Sequence, residues 1–146
     1  VSPSVPVPEV TVTVSVEFSA AHRLAVDERG AEWNERVYGP CSRPGGHGHS
    51  YVVEATVLSR PDATTGLAVD ERALRALVEE RIAIPCRLKH LNHDVDFLAG
   101  VNPTAENLAG AFAGRLLGKL ERGRLRRLTV RETPRNAATW REEEGR

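Results

Sequence analysis

His47 and His49 stand two positions apart in Gly46-His47-Gly48-His49-Ser50-Tyr51, at the start of an alternating segment. Positions i and i+2 of a β-strand share a face, so both imidazoles project to one side at a separation that lets them share one ion. His22 closes another such segment, Phe18-Ser19-Ala20-Ala21-His22-Arg23-Leu24, and an antiparallel pairing would set it beside them. Three imidazoles with a fourth position open describe catalytic rather than structural zinc. For the pair alone, the plain alternative is a turn entering a strand; the third His favours the metal. Cys41 lies five intervening residues before His47 in a Gly- and Pro-rich stretch. An exposed thiol close to a divalent ion is favoured as thiolate and suits a base or a nucleophile, with a small packed residue as the alternative. Cys86, beside Pro85 at an expected helix end, reads as the packed one. Glu132 falls in the apolar strand Thr129-Val130-Arg131-Glu132-Thr133, on the Val130 face or the opposite one according to whether the strand bulges. A buried carboxylate there needs a partner, either a heterocycle with two N–H groups or one of the neighbouring arginines.

The elements that must carry these residues follow from periodicity. Val10, Val12, Val14, Val16 and Phe18 alternate with Thr11, Thr13, Ser15 and Glu17, which predicts a half-buried strand. Residues 25–46 are broken by Gly30, Gly39, Pro40, Pro44, Gly45 and Gly46 and read as a long loop. A second strand is expected over His49–Leu58. Asp70 caps a helix carrying Leu74, Leu77, Val78 and Ile82, which Pro85 ends; Thr104 starts a second helix, with Leu108, Phe112, Leu116 and Leu120 on one face, which Gly123 stops. Leu125–Thr133 and Ala137–Glu142 read as strands around a turn at Pro134–Asn136. The order strand, strand, helix, helix, strand, strand predicts an α+β domain: a four-stranded antiparallel sheet with two helices on one face. Its open edges predict association between copies.

Composition bounds the partners. The 146 residues are 40% hydrophobic and 27% charged, which suits one globular domain, expected over 10–146 behind a loose Pro-rich leader at 1–9. Lys plus Arg and Asp plus Glu each number 20, so the zero net charge gives no general pull toward nucleic acid or an anionic membrane. No apolar run reaches the 18 or so residues of a membrane span, and no signal core precedes the domain. A cytoplasmic location with free thiols is expected. The chain contains no Met, so residue 1 is expected not to be the start of the gene.

Taken in order, Phe18-Ser19-Ala20-Ala21-His22-Arg23-Leu24, Cys41 with the five-residue gap to His47-Gly48-His49-Ser50-Tyr51, Lys89-His90-Leu91-Asn92, Asn102-Pro103-Thr104-Ala105-Glu106-Asn107 and Val130-Arg131-Glu132-Thr133 resemble the 6-pyruvoyl-tetrahydropterin synthase and 6-carboxytetrahydropterin synthase family. The resemblance spans about residues 11 to 144. It implies the tunnelling fold, in which trimers close antiparallel barrels and stack in pairs into a homohexamer with active sites between subunits. It further implies Zn2+ on His22, His47 and His49, Cys41 and His90 as catalytic residues, Glu132 as the anchor of a pterin ring and Thr104 near its pocket. The implied substrate is 7,8-dihydroneopterin triphosphate, converted by triphosphate elimination and side-chain rearrangement. The gap after Cys41 resembles the pyruvoyl-forming branch more than the side-chain-cleaving branch of queuosine synthesis. Arg23 is the candidate for a phosphate contact.

One position departs from the family. An Asp precedes the His in the family's Asp-His pair, and here Leu88-Lys89-His90 puts a cation in its place. A neighbouring cation disfavours imidazolium, which predicts a weaker proton donor at His90 and altered turnover. Three functions therefore stand open: the pterin synthase, a pterin-binding relative that has lost the pair, and a zinc hydrolase that uses metal hydroxide instead of Cys41.

Overall fold

The computed structural model describes residues 6–144. The alternating valines form β1 (Val10–His22), which pairs antiparallel with β2 (His47–Ser59) over its whole length, from Val10 opposite Ser59 to His22 opposite His47. β2 pairs with β3 (Arg124–Thr133), and β3 with β4 (Asn136–Arg141), giving one antiparallel sheet in the order β1-β2-β3-β4. The expected α+β architecture is what the chain adopts.

One face of the sheet is apolar and carries Val14, Val16, Phe18, Tyr51, Val53, Ala55, Val57, Leu128 and Val130, all buried. Two helices cover it. α2 (Glu71–Val78) contributes Leu74 and Val78, and its first turn is capped by Asp70, which accepts from the backbone N–H groups of Arg72 (3.0 Å) and Ala73 (3.2 Å). α4 (Ala105–Leu116) contributes Leu108, Phe112 and Leu116, and Thr104 Oγ1 caps it by accepting from Asn107 N at 3.1 Å. Phe112 meets Phe18 and Phe97 edge-on, with ring centroids 6.2 and 6.1 Å apart, the arrangement aromatic quadrupoles prefer.

Four details depart from the sequence expectation. The stretch 25–46 is not all loop. It holds α1 (Ala31–Tyr38), tied to the strand end by Asn34, whose side chain donates to the carbonyls of Val26 and Gly30 and accepts from Val26 N. Pro85 does not end the helix begun at α2, which continues through a wide turn at Glu79–Ala83 into the short α3 (Ile84–Cys86). Proline cannot donate to the carbonyl of residue i−4, which is Arg81, and Arg115 Nε supplies that bond instead at 3.1 Å. α4 stops at Leu116 rather than Gly123, because Leu117 is extended and Gly118 takes φ +75°. Finally, the outer edge of β1 is not wholly open. Residues 88–91 run parallel to its end, with Leu88 N donating to Ser19 O, Ala21 N to Lys89 O and Leu91 N to Ala21 O.

Of the expected leader, residues 1–5 lie outside the described residues, and 6–9 hold no regular element. Among the described residues no helix is long and apolar enough to cross a membrane.

Gly118 and Gly123 both sit at positive φ, yet a Cβ at Gly118 meets nothing, while one at Gly123 lies 2.7 Å from Leu58 O and 2.8 Å from Val57 Cγ1. Gly118→Ala should therefore cost about 1–2 kcal/mol, the left-handed penalty alone, and Gly123→Ala distinctly more. Urea unfolding of the two variants checks the order.

Candidate functional site

Three imidazoles meet at one end of the sheet. The register sets His22 opposite His47 and Ala20 opposite His49, and alternation turns His22, His47 and His49 to the same face as Phe18 and Tyr51. Their ligand nitrogens all lie within 4.8 Å of one another, with His22 Nε2 and His47 Nε2 3.1 Å apart. Tetrahedral zinc held at roughly 2.0–2.1 Å from each nitrogen needs ligand nitrogens about 3.3 Å apart, so the cluster needs only small adjustments to close on an ion.

The tautomer of His22 is fixed by its surroundings. Its Nδ1 donates to the Pro103 carbonyl at 2.9 Å, and since a carbonyl can only accept, the neutral ring keeps a lone pair on Nε2, pointing into the cluster. His49 Nε2 is buried with no hydrogen-bond partner, a costly arrangement that a metal at this point would relieve. Burial holds both His22 and His49 below the ordinary imidazole value. For His22 the Pro103 bond and the charge of Glu132 oppose that effect without overcoming it. Neutral rings are the ligand form, so donor type, protonation and orphaned nitrogen all fit a bound metal.

Glu132 joins the cluster from β3. The β3–β4 register slips between Arg131 and Thr133, leaving Glu132 unpaired between them. Its carboxylate lies on the inner face, with Oε1 3.4 Å from His22 Nε2 and 3.9 Å from His49 Nε2. Oε2 accepts from Asn136 Nδ2 at 2.9 Å. The arginine alternative does not hold: the neighbouring Arg131 instead pairs with Glu54 across the outer face, at 2.6 Å.

Cys41 sits in a turn at Gly39–Ser42, half-buried rather than exposed. Its carbonyl accepts from Leu24 N at 2.8 Å, which draws the turn to the end of β1. Burial first, and the Glu132 charge second, push the thiol above its ordinary value, which favours its protonated form. Cys86 is fully buried and pushed up to about 12, chiefly by burial, as expected of a packed thiol. His90 lies on the segment beside β1, and its Nε2 is 3.1 Å from the point where a Cβ on Gly46 would stand. Lys89 is exposed. Thr104 spends an oxygen lone pair on its helix cap, and the adjoining Pro103 is the residue that touches the cluster. Arg23 is already engaged, donating to Ser42 O and Asp27, and so braces the Cys41 turn.

Sequence reading missed three participants. Pro103 acts through its carbonyl, which no side-chain pattern reveals. Asn92 clamps the end of β1 by accepting from Arg23 N and donating to Arg23 O. Tyr51, fully buried against His22 and His49, carries a hydroxyl without a partner; only its place two residues after His49 hinted at it. A separate cleft of about 460 Å3, lined by Val57, Leu67, Leu74 and Leu120, opens far from the imidazoles, ten residues along β2 from His47.

Comparison with known proteins agrees with this geometry. A family profile described as 6-pyruvoyl tetrahydropterin synthase matches residues 11–143. The 6-pyruvoyl tetrahydrobiopterin synthase of Poecilia reticulata is 37% identical over 132 residues, covering 90% of each chain. The human protein of the same name is 36% identical, covering 90% of this chain and 91% of its own. The solved structure of Caenorhabditis elegans 6-pyruvoyl tetrahydropterin synthase superposes with a TM-score of 0.85 at 29% identity, covering 93% of this chain and 97% of that one.

His22→Ala, His47→Ala and His49→Ala should each lose more metal affinity than the roughly 10- to 100-fold typical when only an outer hydrogen-bond partner is removed. Competition with a chromophoric chelator measures it. Unfolded chains take up protons near 6.5 that the buried ring of His22 and the half-buried ring of His49 resist, so this contribution to stability is complete above 6.5 and falls as pH drops below it. The Tm of metal-free protein should accordingly decline as pH is lowered from about 6.5 to 5.5; a flat profile contradicts the assignment.

Proposed function

The chain belongs to the 6-pyruvoyl tetrahydropterin synthase family, and from that premise we propose that it is a zinc-dependent lyase acting on 7,8-dihydroneopterin triphosphate. The observation that carries the reading is the three-imidazole cluster with the Glu132 carboxylate against it, since one part suits a metal and the other a ring that presents N–H groups. His22, His47 and His49 are the proposed zinc ligands. Zinc bound there supplies a Lewis acid that makes the hydroxyl-bearing side chain of the substrate more acidic.

The remaining work falls to the chain's own side chains. Glu132 accepts two N–H groups from the pterin ring and fixes the reacting carbon relative to Cys41. That contact also has an electrostatic consequence. Ring donors on Glu132 offset the negative charge that helps hold the Cys41 thiol protonated, so substrate binding moves Cys41 toward the thiolate that can take a proton from the side chain. Thr104, whose oxygen accepts from Asn107 N, keeps its O–H to donate to the ring. His90 is the proposed second proton-transfer group, and loss of triphosphate with internal redox of the side chain gives the pyruvoyl product. The open edge of β4 and the part of the β1 edge that residues 88–91 leave uncovered support the proposed homohexamer of stacked trimers, and the charge balance supports a small-molecule enzyme, proposed as cytoplasmic, with no nucleic-acid or membrane partner.

A second reading, a pterin-binding relative with slow or diverted turnover that includes side-chain cleavage to a 6-carboxy product, is favoured by His90 itself. Its Nδ1 is buried without a partner, and Lys89 offers no carboxylate.

Incubating the zinc-loaded protein with 7,8-dihydroneopterin triphosphate and weighing the products by mass spectrometry tests the reading. The pyruvoyl product with released triphosphate is expected, at a low rate. Cys41→Ala should lower the rate about 10²- to 10⁴-fold, as removal of a general base does. Glu132→Gln should weaken pterin binding by about 1–3 kcal/mol, and Lys89→Asp should speed turnover. Full activity of Cys41→Ala, or no conversion and no pterin binding by the wild type, overturns the proposal.

A further inference from the structure

No hydrogen bond orders the ring of His90 at its buried Nδ1, and Lys89 is exposed. An imidazole tethered at one nitrogen by a carboxylate has a fixed plane, whereas a ring with an unbonded nitrogen can turn about χ2 unless packing prevents it. Packing here comes from His93, whose ring lies nearly parallel to that of His90, with centroids 4.6 Å apart and 23° between planes.

The chain builds this contact deliberately into one turn. The N–H groups of His93 and Asp94 both donate to the His90 carbonyl, at 3.1 and 2.9 Å, and Asp94 Oδ2 accepts from His90 N at 3.0 Å. Three bonds therefore close the loop from 90 to 94 and bring position 93 back over position 90. On its Nε2 edge His90 abuts Gly46, where φ is +74° and a Cβ would also run into the His22 carbonyl. The ring is thus confined on one face by His93 and at one edge by the glycine that precedes the first metal-ligand candidate of β2.

We propose that His93 is a positioning residue for His90, fixing the plane of its ring by face-to-face stacking where a hydrogen-bonded carboxylate is absent. The inference rests on the reading of His90 as a proton-transfer group. It makes the aromatic face of His93 the part that matters and its ring nitrogens dispensable.

The test compares full-length, zinc-loaded wild type with His93→Phe and His93→Ala, substitutions at an exposed position. Two quantities are read: the NMR shifts of the His90 ring protons, and kcat and KM with 7,8-dihydroneopterin triphosphate. In wild type and His93→Phe the His90 ring protons should be displaced by the ring current of the stacked partner; in His93→Ala the displacement should vanish. His93→Ala should lower kcat about 10- to 10²-fold through loss of orientation, with KM and zinc content unchanged. His93→Phe should restore most of that loss. Undisplaced ring protons in wild type, an alanine variant that keeps wild-type kcat, or a phenylalanine variant as slow as alanine each overturn the proposal. Should the wild type convert no pterin triphosphate, the proposed reaction falls, while the ring shifts still decide whether His93 orders His90.

Discussion

The antiparallel register of β1 on β2 is the constraint on which the site depends. It sets His22 opposite His47 and leaves all three imidazoles on the inner face. A slip of one residue would turn His22 to the opposite face and break the cluster outright. The register is held by the apolar side chains that share that face. Phe18 stacks on Tyr51, its opposite number, at 5.5 Å and 21°, and Val14, Val16, Val53 and Ala55 continue the buried row away from the site. Each such side chain contributes about 1.5–3 kcal/mol by burial, so a slipped pairing would forfeit several of them at once. The core thereby enforces the geometry of the three imidazoles.

The end of the sheet that this register builds is unfavourable as protein alone. A buried and a half-buried imidazole are held neutral, His49 Nε2 and the Tyr51 hydroxyl lack partners, and a carboxylate faces them. Unsatisfied buried groups cost about 1–3 kcal/mol each, and the rest of the fold must offset that cost. Such a concentration at one point, in a domain whose core is otherwise apolar, is the physical mark of a place made for a ligand. Burial in this corner, and after it the Glu132 charge, also push the Cys41 thiol above its ordinary value.

The other reactive groups arrive on irregular backbone. Cys41 comes from a turn drawn in by Leu24 N, and His90 from a segment that lies along β1 through three main-chain bonds. The His90 segment is anchored to the last residues of β1, and the Cys41 turn to Leu24, two residues past the His22 that ends it. One strand end therefore holds a metal-ligand candidate, a thiol and a second imidazole in fixed relation, with Asn92 and Arg23 locking the junction.

The sequence by itself determined the four strands, the two capped core helices, the pairing of His47 with His49 and the candidacy of His22. These rest on period, caps and spacing, which are local and survive in a linear reading. Tertiary structure decided what depends on contacts between distant segments. The contact of Glu132 with His22 showed that it keeps the Val130 face despite the register slip beside it, the Pro103 carbonyl chose the tautomer of His22, and the donation from Arg115 to Arg81 let the helix run past Pro85. α1 was hidden because eight residues of weak period between glycines carry little signal, and Asn34 orders them only by reaching back to Val26. The contact of His93 with His90 belongs to the same class, since two histidines three residues apart reveal a stack only when the backbone bonds of residues 90–94 fold one ring onto the other.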